Sequence, residues 1–307
     1  QIELLDLKLS APAQNILSQR LTQELAPQSL RLKNKLTALP KEVQLGMNGV
    51  PVLDQGPHGT CATFATIASL DALSNKGDNL SPLCLLALNE YLTTHAQTET
   101  LWEGGFPKQI FNLASMFGVV NMSKQKQFGC GGMTEYPKSY LSNYPSIDIE
   151  NYHTMSEKLA DTVRYDTTNI FDVFQFIYDE RSISSVEADT KSALAHGDRL
   201  TLGILLAPDA KVGAHGTFHK KDDTWVLSQK VINHFQSGGD IAGHALLITG
   251  YNDNAESIDD EGKKHQGLFT VRNSWGENAG DRGDYYISYD YFRALMIDLV
   301  RVRKIKS

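Results

Sequence analysis

The helix-period and strand-period patterns of this chain lie in different halves, and that separation restricts its fold more than any other feature. Apolar residues recur with helical spacing over residues 62–74, from 82 to about 96, and from 106 to about 117, where Gly118 marks a helix end. From residue 200 onward the pattern changes. Residues 200–206, 244–251, 267–272 and 284–289 read as strands. Regular alternation of the two patterns argues for a parallel sheet wrapped by helices. Helices followed by strands argue instead for an α+β protein, a mainly helical part and a mainly antiparallel β part with a cleft where they meet. The 307 residues suffice for one large domain or two small ones with a sizeable core.

Residues 1 to about 38 stand apart. Ile16, Leu17, Leu21 and Leu25 form one narrow helical stripe that stops at Ala26-Pro27, and a Lys/Arg-rich stretch then leads to Leu39-Pro40. The expected organisation is an extension over 1–38 and a main domain over 39–307, helical from about 56 to 145 and β from about 146 to 300. The chain begins at Gln1 without an initiator Met, from which removal of an upstream stretch is expected, by signal-peptide cleavage, other processing or design. Acidic residues exceed basic ones, 36 to 29, which offers no footprint for nucleic acid or an anionic membrane. The longest apolar run, residues 82–88, is too short to span a bilayer. Oligomeric state is not readable.

Three cysteines, Cys61, Cys84 and Cys130, are too few for a disulfide framework and leave at least one unpaired. Cys84 lies in an apolar helical pattern and reads first as a small buried hydrophobe, with a Cys84 to Cys130 bridge as the other reading. No cysteine or histidine spacing suggests zinc, and no metal or cofactor is expected.

The chemistry concentrates in Gln55-Gly-Pro-His-Gly-Thr-Cys61. Two glycines and a proline let the loop curl, bringing the Gln55 amide beside the Cys61 thiol. The helical run that follows puts Cys61 at a helix N-terminus, where the dipole favours a thiolate and free backbone N–H groups can bind developing negative charge. A thiol nucleophile needs a base, and the base needs a group that fixes its ring. Among nine histidines, His244 stands between the small residues Gly243 and Ala245 at the head of an apolar strand, facing the cleft. Asn273, in Arg272-Asn-Ser-Trp-Gly276, closes another strand and offers its amide oxygen to the imidazole, with Trp275 placed to cover that bond. Each residue alone has a bland structural explanation; the set Gln, Cys, His, Asn in this order does not.

With these blocks in hand, the chain resembles the papain-like cysteine peptidases over about residues 39 to 290. The resemblance implies Gln55 as oxyanion-hole glutamine, Cys61 as nucleophile, His244 as general base and Asn273 as the residue that orients it. Gly104-Gly105-Phe106-Pro107 resembles the family's substrate strip and pocket wall, and Asn273 to Gly280 its Asn-Ser-Trp-Gly block. Gly104, Gly105, Phe106, Pro107, Ala242 and Trp275 are therefore the expected substrate-binding residues, with an apolar or aromatic preference. The resemblance also implies hydrolysis of a peptide or protein substrate through a thioester, and action outside the cytosol, secreted or otherwise. An acyltransferase using the same site and a peptide-binding pseudo-enzyme stay open beside it. So do two readings of residues 1–38: an inhibitory prosegment lying along the cleft, making the chain a zymogen, or an arm packed on the back of the domain.

The departures are informative. Where the family carries a disulfide beside the nucleophile, this chain has His58 and Trp102, a double replacement that implies a loop held by packing. Ala62 replaces a Trp after the nucleophile, and Ala279 replaces an aromatic that flanks Trp275, implying a cleft less walled by aromatics. Cys61 and His244 are 183 residues apart, longer than the family interval of about 130–150. Insertions at 215–239 and at 252–264, the second expected to extend a hairpin between the His244 and Asn273 strands, account for this, either as lids or as surface decoration. Asp281 and Asp284 read as solvated charges.

Overall fold

In the computed structural model, residues 4–25, 39–74, 76–96, 98–159, 183–207 and 214–304 are described, together with the backbone of a strand at Tyr165–Phe171. The Lys/Arg-rich stretch before Leu39, and the helix stop at Ala26-Pro27, lie outside the described residues. The fold is α+β. Strand β1 (Leu5–Asp6), helix α1 (Ala11–Leu25) and strand β2 (Glu42–Gln44) come first. The helical part follows: α2 (Cys61–Ser74), α3 (Pro82–Ala96), α4 (Pro107–Phe117), α5 (Met122–Phe128) and α6 (Ile149–Met155). After β3 (Tyr165–Phe171) and α7 (Ile183–Ala195) come β4 (Arg199–Leu206), β5 (Gly216–Thr217), β6 (Thr224–Trp225) and α8 (Gln229–Gln236). The long hairpin β7 (Ala242–Asp259) and β8 (Lys264–Arg272), then β9 (Asp284–Ser288), α9 (Tyr289–Leu295) and β10 (Met296–Lys304), complete it.

Every residue of α2 from Cys61 to Ala72 is buried, which its small and apolar sequence permits on all faces. The helical core around it includes Leu70, Leu83, Trp102, Ile110 and Tyr152. A second core, with Leu202, Ile204, Leu246, Phe269 and Phe292, lies against the sheet. Strand order is β3-β10-β4-β7-β5-β6-β9-β8, and because β7 also pairs with β8, the path from β7 through β5, β6, β9 and β8 closes on itself. Pairings are antiparallel except β6 with β9. The two expected insertions are ordered parts of this sheet. The first supplies β5, β6 and α8; the second is the far end of the β7–β8 hairpin, pinned by His265 between Asp290 at 2.7 Å and Asp259 at 3.1 Å.

Two expectations need correction. Cys84 and Cys130 are joined in a disulfide, their Cα atoms 5.0 Å apart, so Cys84 is buried as expected but not as a free thiol. Helical periodicity reports burial and is blind to a partner 46 residues away. Asp284 accepts from Arg272 Nε at 2.6 Å and Asp281 from Tyr286 Oη at 3.0 Å, so neither is a merely solvated charge.

Candidate active site

Thr60 precedes α2, its carbonyl accepting from the Phe64 N–H at 3.1 Å, and so Cys61 opens the helix. The backbone N–H groups of Ala245, Ala62 and Cys61 itself all favour a charged sulfur there. Burial outweighs them and pushes the thiol up to about 11.

The sheet places the other two residues. Leu247 pairs with Arg272 across β7 and β8. The ladder ends at that pair: Asn273 follows directly, its N–H donating to Gly283 O at 3.0 Å, and Trp275 bridges to Asp54. Trp275 stacks on the imidazole, centroids 4.6 Å apart and planes at 23°. His244 Nε2 lies 2.9 Å from Asn273 Oδ1. The same Oδ1 accepts the Ser274 N–H at 2.8 Å, which fixes the amide oxygen, not its nitrogen, toward the ring. Nε2 must therefore donate, and the neutral imidazole carries its lone pair on Nδ1. That Nδ1 is buried without a hydrogen-bond partner, in the pocket that Cys61 also lines. Burial pushes His244 down to about 4, against the pull of the Asn273 bond. Both groups are thus held neutral.

Gln55 is fully buried at the seam of the two halves. Its N–H donates to Ser274 O at 2.8 Å, and its side-chain oxygen accepts from Ser274 Oγ at 2.7 Å. Nε2 donates one hydrogen to His58 O at 2.8 Å, leaving the second for another acceptor. Tyr136 Oη donates to Gln55 O at 3.0 Å and lies 2.9 Å from Thr60 Oγ1.

The pocket between the two halves is occupied by the N-terminal segment. β1 pairs antiparallel with β7, Leu5 opposite Gly243 and Asp6 opposite Ala242, and the Leu7 N–H donates to Ile241 O at 2.9 Å. Leu5 and Leu7 line one pocket with Cys61, Gly105, Phe106, Pro107 and His244. A Cβ on Gly104 would stand 2.6 Å from the Leu5 side chain and one on Gly243 2.8 Å from that of Leu7, so both glycines are needed for this fit. Five of the six expected substrate residues surround the segment, while Trp275 covers His244 and stays out of that pocket. Behind it, α1 packs on the sheet side: Arg293 grips Glu24 through two bonds of 2.8 Å, and Arg20 donates to Met296 O at 2.9 Å.

Four residues escape the sequence reading. Ser274 stood inside a quoted block and was legible as a hydroxyl beside Asn273. Tyr136, Tyr285 and Trp225 carry no local signal. Trp225, from the first insertion, meets the edge of Trp275 at 6.0 Å and stacks on Tyr285 at 4.7 Å. It supplies the aromatic wall that Ala279 leaves out, so the cleft is not aromatic-poor on this side.

The model of the papain family cysteine proteases matches residues 39–297, and the chain belongs to that family. Among solved structures it is similar to xylellain, a cysteine protease from Xylella fastidiosa, with TM-score 0.55 and 17% identity over 99% of this chain and 92% of that one. The proform of the ragweed pollen allergen cysteine protease Amb a 11 gives 0.55 and 16%, over 89% and 69% of the two chains. The protease and lectin-like domains of Cwp84, a surface layer associated protein of Clostridium difficile, give 0.54 and 18%, over 90% and 55%. These likenesses establish the papain-like fold. No curated protein sequence matches the chain. No helix among the described residues is long and apolar enough to cross a membrane.

Proposed function

We propose that the chain hydrolyses peptide bonds through a thioester on Cys61, and that residues 1–38 restrain it. The observation that carries this reading is the bond from His244 Nε2 to Asn273 Oδ1, with Ser274 fixing the amide: it leaves Nδ1 bare as base beside a thiol at a helix N-terminus. Nδ1 takes the Cys61 proton and sulfur attacks the scissile carbonyl. The second Gln55 Nε2 hydrogen and the Cys61 N–H stabilise the resulting oxyanion, each worth about 3 kcal/mol. The imidazolium protonates the departing amine as the C–N bond breaks. His244 then takes a proton from water, whose oxygen attacks the thioester, and the proton returns to sulfur as the carboxylic acid leaves.

Restraint is supported by β1, which fills the pocket with Leu5 and Leu7 and keeps water from the dyad. Exclusion of water is the main cause of the high Cys61 and low His244 values, so departure of the segment returns both toward the thiolate and imidazolium pair. The N-terminal segment then gives way to an extended substrate with an apolar side chain against Phe106, Pro107 and Gly105. The Cys84–Cys130 disulfide supports a site of action outside the cytosol.

A thiol-directed epoxysuccinyl probe and a fluorogenic peptide test the reading together. After removal of residues 1–38, labelling and turnover that both vanish in Cys61→Ala are expected; turnover that survives that substitution overturns it.

A further inference from the structure

The peptide that orients Gln55 is itself anchored by an unusual ring. His58 is buried, and its imidazole meets Trp102, Tyr136 and Tyr144 edge-on at 5.3, 5.9 and 6.4 Å, with planes 76–87° apart; Tyr140 closes the outer side at 6.3 Å. Trp102 and Tyr144 stack parallel at 5.0 Å, giving the cage a rigid wall. Next to it Gly59 lies so close to the neighbouring chain that a Cβ would stand 2.7 Å from the carbonyl of Glu103. The two stretches 58–59 and 102–103 are therefore locked face to face with no covalent link. The only free cysteine is Cys61.

This lock bears on the reacting atoms through one hydrogen bond. Gln55 Oε1 is held by Ser274 on the sheet side, and Nε2 by the His58 carbonyl on the helical side. Fixing one end of a planar amide leaves it free to swing; fixing both decides where the spare N–H points. We propose that His58 is a positioning residue for the oxyanion hole: its caged ring holds the carbonyl that aims the Gln55 side chain. The inference rests on the peptidase reading of this site. It assigns His58 no contact with substrate and no proton transfer.

A merely structural role lowers stability but leaves each folded molecule as active as before. An aiming role lowers kcat per titrated site and spares reactions of Cys61 that develop no oxyanion. Alkylation by iodoacetamide is such a reaction, because sulfur displaces iodide at a saturated carbon. The assay uses the full chain carrying Leu5→Gly and Leu7→Gly, which removes both side chains of the segment that fill the pocket, with and without His58→Ala. The expected result is a loss of about tenfold to a hundredfold in kcat, below the loss of roughly 10²–10³ for removal of a donor, with KM and the alkylation rate within about twofold. His58→Phe, which keeps a ring in the cage, restores most of kcat. Adding His58→Ala to Gln55→Ala costs nothing further, since the aimed group is already gone.

An unchanged kcat in His58→Ala, a parallel fall in alkylation, or additive losses in the double variant each overturn the proposal while leaving the peptidase reading intact. Absence of turnover in the chain carrying both Leu5→Gly and Leu7→Gly, with Cys61 still alkylated, overturns both. Should His58→Ala fail to fold, Trp102→Phe, which trims the cage wall, carries the same prediction in smaller measure and the same contrary results.

Discussion

The two walls of the cleft hold their reactive groups by different means. On the sheet wall, His244 stands within β7 and Asn273 directly follows β8, and the backbone pairing of these two strands, which ends at Leu247 and Arg272, brings them side by side. On the helical wall, Cys61 starts a helix buried from its first residue to Ala72, and the loop before it is fastened by contacts from distant stretches: the His58 cage, Tyr136 on Gln55 and Gly59 against Glu103. Backbone register tolerates substitution of neighbours. A site held by packing does not, because its geometry is the sum of many specific contacts.

The sheet wall has one point where packing does matter, and there the largest effect is expected. Trp225 is fully buried and packs against Trp275, ring centroids 6.0 Å apart. Trp225→Ala should cost about 3–5 kcal/mol in a denaturant titration, as for other buried Trp truncations. If register alone holds the imidazole, kcat at temperatures where the variant stays folded falls only a few-fold; a loss approaching that of His244→Ala shows instead that Trp225 is indispensable to the ring.

The comparison sharpens with a smaller change on the helical wall. The Cys84–Cys130 disulfide lies in the helical core and makes no hydrogen bond to the loop that carries Gln55 and His58 among the bonds described for these residues. Replacing both cysteines by Ser should cost about 2–5 kcal/mol, measured by thermal unfolding, with kcat per folded molecule unchanged. A kcat loss comparable to that of His58→Ala would erase the distinction between stability and aim on this wall.

The same contrast governs what could be read from the sequence. Cys61, Gln55, His244 and Asn273 were legible because each sits at an element boundary: the helix start, the loop before it, the head of one strand and the end of another. The strands themselves were legible from their composition, although β7 runs on to Asp259 through residues that look like a polar loop. There, pairing with β8 and β5 supplies what local propensity lacks. Trp225 and Tyr136 were not legible, since each acts on a residue more than 40 positions away in the chain, and for the same reason the Cys84–Cys130 bond was readable only as the second of two alternatives. The replacement of a cysteine pair by His58 and Trp102 did signal packing, yet not the ring of tyrosines that completes it. The N-terminal segment was read as either blocking the cleft or lying behind the domain; β1 lies in the cleft while α1 packs on the sheet side.

The dyad is where the two walls meet, and its protonation is the central claim. Burial pushes the Cys61 thiol up to about 11 and the imidazole down to about 4, so thiolate accumulates only as pH rises toward the upper value. The direct measurement is the rate of Cys61 alkylation by iodoacetamide from about pH 5 to 10 in the full chain and after removal of residues 1–38. In the full chain the rate should stay low and climb only at the alkaline end. After removal it should be high already on the acid side and nearly flat across neutrality, the signature of a thiolate and imidazolium pair. Superimposable profiles for the two forms would contradict the claim that the N-terminal segment keeps this dyad neutral.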